Sequence, residues 1–524
     1  MKKMLLGGFL SVCGGLFGVA YGQGVITPRF EERALAAGID QKYTGPFEYF
    51  VGGGAASLDC DGDGLHDVFI AGGTSAAKLY RNNSTPAGPI QFSQQLLPVR
   101  SALLEQVVGA YPLDFNNDRL ADLVLLRHGE NVLLRNKGDC QFEIAQGFDG
   151  GDAWTTSFAA IWEANQPYPT LAFGNYIDQS LEGAPFRTCH DNRLVRADDR
   201  GRFNSSVNLS PGYCALSILF TDWNNNGRFD LRVSNDRQYH VDGEEQLWQI
   251  RGTDTRPRLF TRDDGWKELV IWGMGIAEGD INSDGFPEYA LTSMADTKLQ
   301  QIMLADIGPI YEDIAFALNA TAHRPYVGDN SRASTGWHSQ FADINNDTRT
   351  DLYIAKGNVE RMPDFAQFDP DNLLLGTADG PFIERGFEAG IAMETRGRGA
   401  VIEDFNNDGA LDLLVVNREE PVTLFQAEGP AGGFLRVQLD QPDFNRFGVG
   451  AKVKVVALEE GKEPIEMLQT LRIGGGHASG QLGPLHFGLG SASHAVIYVT
   501  WPDGSVSNGE FVRANHSITI SRRD

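Results

Sequence analysis

The sequence predicts an all-β protein, a closed ring of seven four-stranded sheets followed by a small C-terminal β domain. Three observations carry this. A nine-residue acidic pattern recurs six times, and each copy leads into a short β-rich run. The 61 Gly and 23 Pro among 524 residues supply turns for many short strands.

The pattern has Asp at position 1, Asp or Asn at positions 3 and 5, and an acid at position 9. With the intervening position 7, the copies are Asp59, Asp61, Asp63, Leu65, Asp67; Asp114, Asn116, Asp118, Leu120, Asp122; and Asp222, Asn224, Asn226, Arg228, Asp230. Three more follow: Asp280, Asn282, Asp284, Phe286, Glu288; Asp343, Asn345, Asp347, Arg349, Asp351; and Asp404, Asn406, Asp408, Ala410, Asp412. Successive starts lie 55, 108, 58, 63 and 61 residues apart. The doubled gap predicts a hidden copy near residue 165, where Ile161-Trp162 and Leu171-Ala-Phe-Gly-Asn keep the flanking apolar strands without the acids. That makes seven units, six of them acidic.

Each copy runs into an apolar strand such as Val68-Phe-Ile-Ala or Leu413-Leu-Val-Val, and then a second strand such as Lys78-Leu-Tyr-Arg or Val422-Thr-Leu-Phe. Units of about 50 to 60 residues with four short strands have the size of a propeller blade. One unit cannot bury both of its apolar faces, so the copies must pack side by side around a circle. The reading is therefore a seven-bladed β-propeller over residues 23–428. Its closure is also written in the chain. Phe30 to Ile39 matches Phe382 to Ile391 at six of ten positions, yet follows no earlier unit. It should pair onto the last unit after Thr423-Leu-Phe and remove a free sheet edge.

Calcium takes six to eight hard oxygen ligands, and acids at alternate positions of a tight loop turn successive side chains inward. Positions 1, 3, 5 and 9 would supply side-chain oxygens and position 7 a backbone carbonyl, giving up to six structural Ca2+ ions. Gly64, Gly227, Gly285 and Gly409 at position 6 permit the left-handed bend. The Asp222 copy has only two carboxylates and should bind most weakly. An isolated Asp/Asn-rich turn is common in hairpins, but six at blade spacing are not. In these loops the chain is similar to the FG-GAP/VCBS repeat family, which shares its calcium loops with integrin α-subunit propellers. The resemblance covers roughly residues 25–428 and implies calcium ligation by the residues named above, except near Trp162.

After Gly429-Pro-Ala-Gly-Gly, read as a linker at 429–433, the repeat stops. Residues 434–524 alternate like strands. Asn445-Arg-Phe-Gly-Val-Gly-Ala, Ile473-Gly-Gly-Gly, Leu485-His-Phe-Gly-Leu-Gly and Trp501-Pro-Asp-Gly resemble, in that order, the ASPIC/UnbV domain. That domain follows such repeats in bacterial exported proteins and implies a small β-sandwich-like fold. His477-Ala-Ser479 displaces the usual Ser after the Gly run.

Lys2, Lys3, the apolar run Met4–Val19 and Ala20-Tyr-Gly22 read as a signal peptide over residues 1–22, too short and Gly-rich to span a bilayer. The destination is secreted or periplasmic. Cys60, Cys140, Cys189 and Cys214 then allow two disulfides in three pairings, with Cys189–Cys214 the first expectation because they are nearest in sequence. The formal charge of −25 excludes a nucleic-acid partner. No Gly-x-Ser-x-Gly, His-Glu-x-x-His or phosphate loop occurs. Of the histidines worth naming, His338, His477 and His486, Trp337-His338 and His486 read first as packing residues.

The expected function is that of an exported calcium-binding scaffold or adhesion protein, not an enzyme, recognising a protein or glycan through propeller loops. The alternatives are a calcium-dependent polysaccharide lyase or hydrolase and a periplasmic accessory partner of a pathway enzyme.

Overall fold

The computed structural model describes residues 24–164, 166–237, 242–252, 256–303, 305–321, 332–359, 362 and 364–523. The signal-peptide reading lies outside them. Among the described residues, no helix is long and apolar enough to cross a membrane.

Strand pairing groups the chain from Phe30 to Ala427 into seven successive four-stranded antiparallel units. Their first strands are Ala55–Leu58, Val107–Leu113, Asp152–Ile161, Ala215–Thr221, Gly273–Gly279, Ser334–Ala342 and Gly397–Glu403. Each packs against the next, and Gly397–Glu403 against Ala55–Leu58, so the propeller closes. These strands are mostly buried and carry Gly, Ala or Ser where they crowd the axis. Second strands such as Asp412–Asn417 and Asp351–Lys356 are buried throughout, because neighbouring units cover both faces. The third unit, which lacks the acids, still forms all four strands: Asp152–Ile161, Thr170–Asn175, Asn192–Ala197 and Phe203–Leu209.

Closure follows the sequence reading. Phe30–Glu32 pairs with the strand Thr423–Ala427 in the register Phe30↔Ala427, Glu31↔Gln426 and Glu32↔Phe425. The matching segment Ile383–Glu384 is the outer strand of unit 6. Both disulfides form, Cys189–Cys214 within the region of units 3 and 4 and Cys60–Cys140 between units 1 and 2.

The C-terminal domain is a two-sheet sandwich. One sheet holds Gly433–Asp440, Leu485–Gly490 and His516–Ser521; the other holds Lys452–Leu458, Ile465–Thr470, His494–Thr500 and Glu510–Arg513. Leu435, Val453, Phe487, Ile497 and Trp501 fill the space between them.

One segment leaves this domain. Residues 473–482 enter the axis of the propeller and touch the inner region of all seven units. Ile473 O accepts from Ala160 N, Gly475 N donates to Ile218 O, Gly476 N to Ile276 O, and Ala478 O accepts from Ala110 N, at 2.7–3.1 Å. Ser479 Oγ accepts from Ala55 N at 3.0 Å. His477 N donates to His338 Nδ1 at 3.1 Å. Gly480–Leu482 adds a parallel strand to Ala56–Leu58, and Gln481 brackets the backbone of Ile402. The inner strands leave room for this plug by lacking side chains. A Cβ on Gly54 or Gly109 would lie 1.8 or 2.4 Å from Ala478 O.

Candidate metal centres

All six acidic loops lie in the same place, between the first and second strands of their units, and fold alike. The position-1 carboxylate accepts the backbone N–H groups of the bend. Asp404 takes Asp408 N and Gly409 N at 3.0 and 2.9 Å, and Asp343 takes Asp347 N and Thr348 N at 2.9 and 2.8 Å. Asp59, Asp114, Asp222 and Asp280 repeat this. The position-5 side chain accepts from the N–H of position 7: Asp63 from Leu65, Asp118 from Leu120, Asn226 from Arg228, Asp284 from Phe286, Asp347 from Arg349 and Asp408 from Ala410.

Position 9 has a second duty. Asp412 accepts Phe405 N and Ala427 N, at 3.0 and 2.9 Å, sewing the loop to the end of the third strand. Asp67, Asp122 and Asp351 bond in the same way, Asp230 accepts the Trp223 indole N–H and Ile250 N, and Glu288 accepts Ile281 N. These side chains are buried. Burial, reinforced by neighbouring carboxylates, pushes Asp67 up to about 7 and Glu288 and Asp343 up to about 8. Asp122, Asp351 and Asp412 are also driven well above the usual carboxylate range. Buried like charges of this kind stay ionised only beside a cation.

The donor set fits a hard divalent ion. Carboxylate oxygens of Asp59, Asp61 and Asp67 lie within 4.8 Å of one another. The position-3 oxygen of Asn406 is buried without a hydrogen-bond partner. The Asp222 loop differs. Lys452 Nζ sits 2.8 Å from Asp222, and Arg251 Nη1 sits 2.7 Å from Asp230. Cationic side chains also reach other loops, Arg81 at Asp61, Arg135 at Asp118, Arg349 at Asp347 and Arg436 at Asp404, but among the described residues only the Asp222 loop has both its position-1 and position-9 carboxylates paired.

Sequence reading missed position 4. Asn117, Asn225, Asn346 and Asn407 all adopt left-handed backbone, with φ of 53 to 63°, and each bonds in two directions. The amide of Asn225 donates to Gly285 O of the next loop at 2.6 Å, that of Asn346 to Gly409 O at 2.8 Å, and that of Asn407 to Gly64 O at 3.1 Å. Asn117, which precedes the unit lacking the acids, donates to Pro167 O at 2.8 Å. Their oxygens accept from the C-terminal domain, through Asn445 N, Lys452 Nζ, His486 Nε2 and Arg436 Nη1 respectively. The signal was present, as an Asn-Asn pair at positions 3 and 4 of four copies. Its purpose depends on a domain far along the chain.

His338 is packed, as read, and so is His477. His477 Nδ1–H donates to Leu216 O and its Nε2 accepts from Gly52 N, at 3.2 and 3.1 Å, beside the Trp337 ring. His338 Nε2–H donates to Gln340 at 3.3 Å. Burial lowers His477 to about 3, with Arg398 adding to the effect, and lowers His338 to about 4.

Residues 441–524 match the family model for ASPIC and UnbV. The chain is thus a β-propeller followed by a domain that matches the ASPIC and UnbV model. It is similar to Cartilage acidic protein 1 of Xenopus tropicalis, 34% identical over 491 residues, which cover 87% of this chain and 63% of that one. The human Cartilage acidic protein 1 is 34% identical over 141 residues, 25% of this chain and 20% of the relative. The chain therefore spans less than two thirds of the length of these relatives. Solved structures with related folds include BBS1N in complex with ARL6DN, with TM-score 0.42 and 12% identity over 74% of this chain and 96% of that one. Another is the Dos1 propeller, with TM-score 0.36 and 10% identity over 74% and 95%. At these scores the likeness adds nothing to the strand topology already described.

Proposed function

We propose that this protein is an exported, calcium-stabilised recognition scaffold, in which metal-filled loops hold the propeller rigid and seat the C-terminal domain so that a protein or glycan partner is met by a fixed surface. The supporting observation is the repeated acidic loop whose fourth residue bonds both to the next loop and to the C-terminal domain. Calcium would be held by Asp59, Asp61, Asp63 and Asp67, by Asp114, Asn116, Asp118 and Asp122, and by the equivalent residues of the Asp280, Asp343 and Asp404 loops. It would supply the positive charge these buried carboxylates lack. The Asp222 loop is the weakest candidate, because Lys452 and Arg251 already serve it. Two disulfides and the reading of residues 1–22 support export. Engagement of His338, His477 and His486 in packing and docking supports a binder over a hydrolase.

Calcium titration during thermal unfolding tests this. An ion bound only by the folded state at a thousandfold excess over its Kd stabilises by about 4 kcal/mol per site. Chelation should therefore lower Tm by on the order of 10 °C. A Tm indifferent to both calcium and chelator refutes the reading.

A further inference from the structure

The acidic loops are tied to their neighbours through asparagine. In unit 7 the Asn406 amide donates to Gly88 O of unit 1 at 2.8 Å, while its Oδ1 takes no hydrogen bond from the protein. In unit 6 the Asn345 amide donates at 3.0 Å to Ile26 O, on the segment leading into the closing strand of unit 7. Residues counted among the proposed metal ligands therefore also grip the next unit.

Loop-to-loop bonds run in series. Asn346 joins the loop of unit 6 to Gly409 O of unit 7, and Asn407 joins the loop of unit 7 to Gly64 O of unit 1. Both accepting carbonyls belong to position 6, so each bond steadies the peptide group that leads into position 7. Two asparagines at the ends of third strands extend the series. Asn82 gives its backbone N–H to Asp67 of its own unit and its amide to Phe405 O in the loop of unit 7, both at 2.8 Å. Asn136 gives its N–H to Asp122 and its amide to Cys60 O in the loop of unit 1, at 2.8 and 2.9 Å. The Cys60–Cys140 disulfide fastens that same joint. The loops of units 6, 7, 1 and 2 are thus connected without a break.

The loop of unit 5 stands apart. Its position 4 is Ser283, whose hydroxyl donates to Glu466 O of the C-terminal domain at 3.1 Å instead of reaching the next loop. In unit 6 the residue corresponding to Asn82 and Asn136 is Gly376. Its N–H is held by Asp351 in the same way, but it has no side chain to reach back. A cavity of about 710 Å³ lies between the loops of units 5 and 6. Among the described residues, no hydrogen bond or ion pair joins them directly. On its other side the loop of unit 5 meets Asn225 of unit 4, where Lys452 and Arg251 already pair the carboxylates.

We infer that calcium binds the four connected loops of units 6, 7, 1 and 2 cooperatively and the loop of unit 5 independently. The inference rests on the calcium reading and adds coupling to it. An empty loop holds carboxylates that repel one another, and a cation lets it close. A closed loop holds its asparagine amides in place for the neighbour, which then has less backbone left to order. Coupling of this kind changes affinity by roughly 5- to 150-fold.

The test is isothermal calorimetry of the full chain, stripped with chelator and titrated with calcium chloride. Four ions should enter in one steep phase with a Hill coefficient above about 2, and a fifth in a separate phase with a coefficient near about 1. Asp280→Asn should remove the separate ion. Asn407→Gly suits the left-handed backbone there, with φ of 53°, and cuts the bond between the loops of units 7 and 1. It should lower the steep coefficient by about half. Ser283→Gly loses a bond to the C-terminal domain but none to another loop, and should not lower it. Five independent ions, one steep phase for all five, or an Asn407→Gly titration as steep as the parent's overturns the inference. The parent titration decides even where a variant does not fold. Five independent ions leave the calcium reading standing, whereas no calcium uptake defeats both.

Discussion

The ring of acidic loops and the axial plug both join the seven sheets, by opposite chemistries. The loops gather buried carboxylates that need a cation. The plug relies on neutral bonds, with His477 and His338 each donating from one ring nitrogen and accepting on the other. The contrast teaches that this ring is joined by two devices, one built on acidic side chains and one on backbone groups and neutral imidazoles, with the Arg398 cation lying over the Trp337 ring beside them. Metal should therefore act on the loops, whereas acid should act on the plug and on the loop carboxylates as well, because burial raises these.

The largest effect after chelation is expected within the loops. Asp404→Ala removes a proposed metal ligand and an acceptor of two N–H groups, and should cost about 3 kcal/mol in calcium buffer. Asp222→Ala should cost about half as much, because the half-solvated Lys452 it releases can turn to water. Equal losses in denaturant unfolding would erase the distinction between the two loops.

The next effect sharpens the plug. Both folded-state pKa values lie below the free-histidine value of about 6.5. The unfolded chain therefore takes up protons first, and stability is full above about 6.5 and lost as pH falls towards 4. Near pH 5 each histidine should cost about 2 kcal/mol. His477→Gln, which keeps a donor and an acceptor, should flatten the slope of Tm against pH between 6.5 and 4.5 relative to the parent. An unchanged slope would show that the plug does not titrate. The smallest effect is expected from Lys452→Ala. It should change stability by less than about 1 kcal/mol yet add one calcium equivalent by calorimetry.

Much of the ring was legible because its signals are local. Acids at alternate positions, an apolar run and a turn sit within one unit, and repetition makes the pattern unmistakable even where unit 3 has lost its acids. The closing strand was legible because Phe30 to Ile39 copies an internal segment. What stayed hidden depends on distant partners. Ile473-Gly-Gly-Gly reads as a loop of its own domain, but His477 meets His338 and Gly52 across 139 and 425 residues. Lys452 reads as an ordinary strand residue until folding brings it 2.8 Å from Asp222. The position-4 asparagines were visible as letters, yet their second partner lies in another domain.

The claim that the acidic loops are cation cages is tested most directly by anomalous diffraction from crystals of the untreated protein, supported by elemental analysis for calcium. The account predicts ions in the loops beginning at Asp59, Asp114, Asp280, Asp343 and Asp404, with Lys452 in place of an ion beside Asp222. No anomalous density in those five loops, in a protein that keeps its fold, would contradict it.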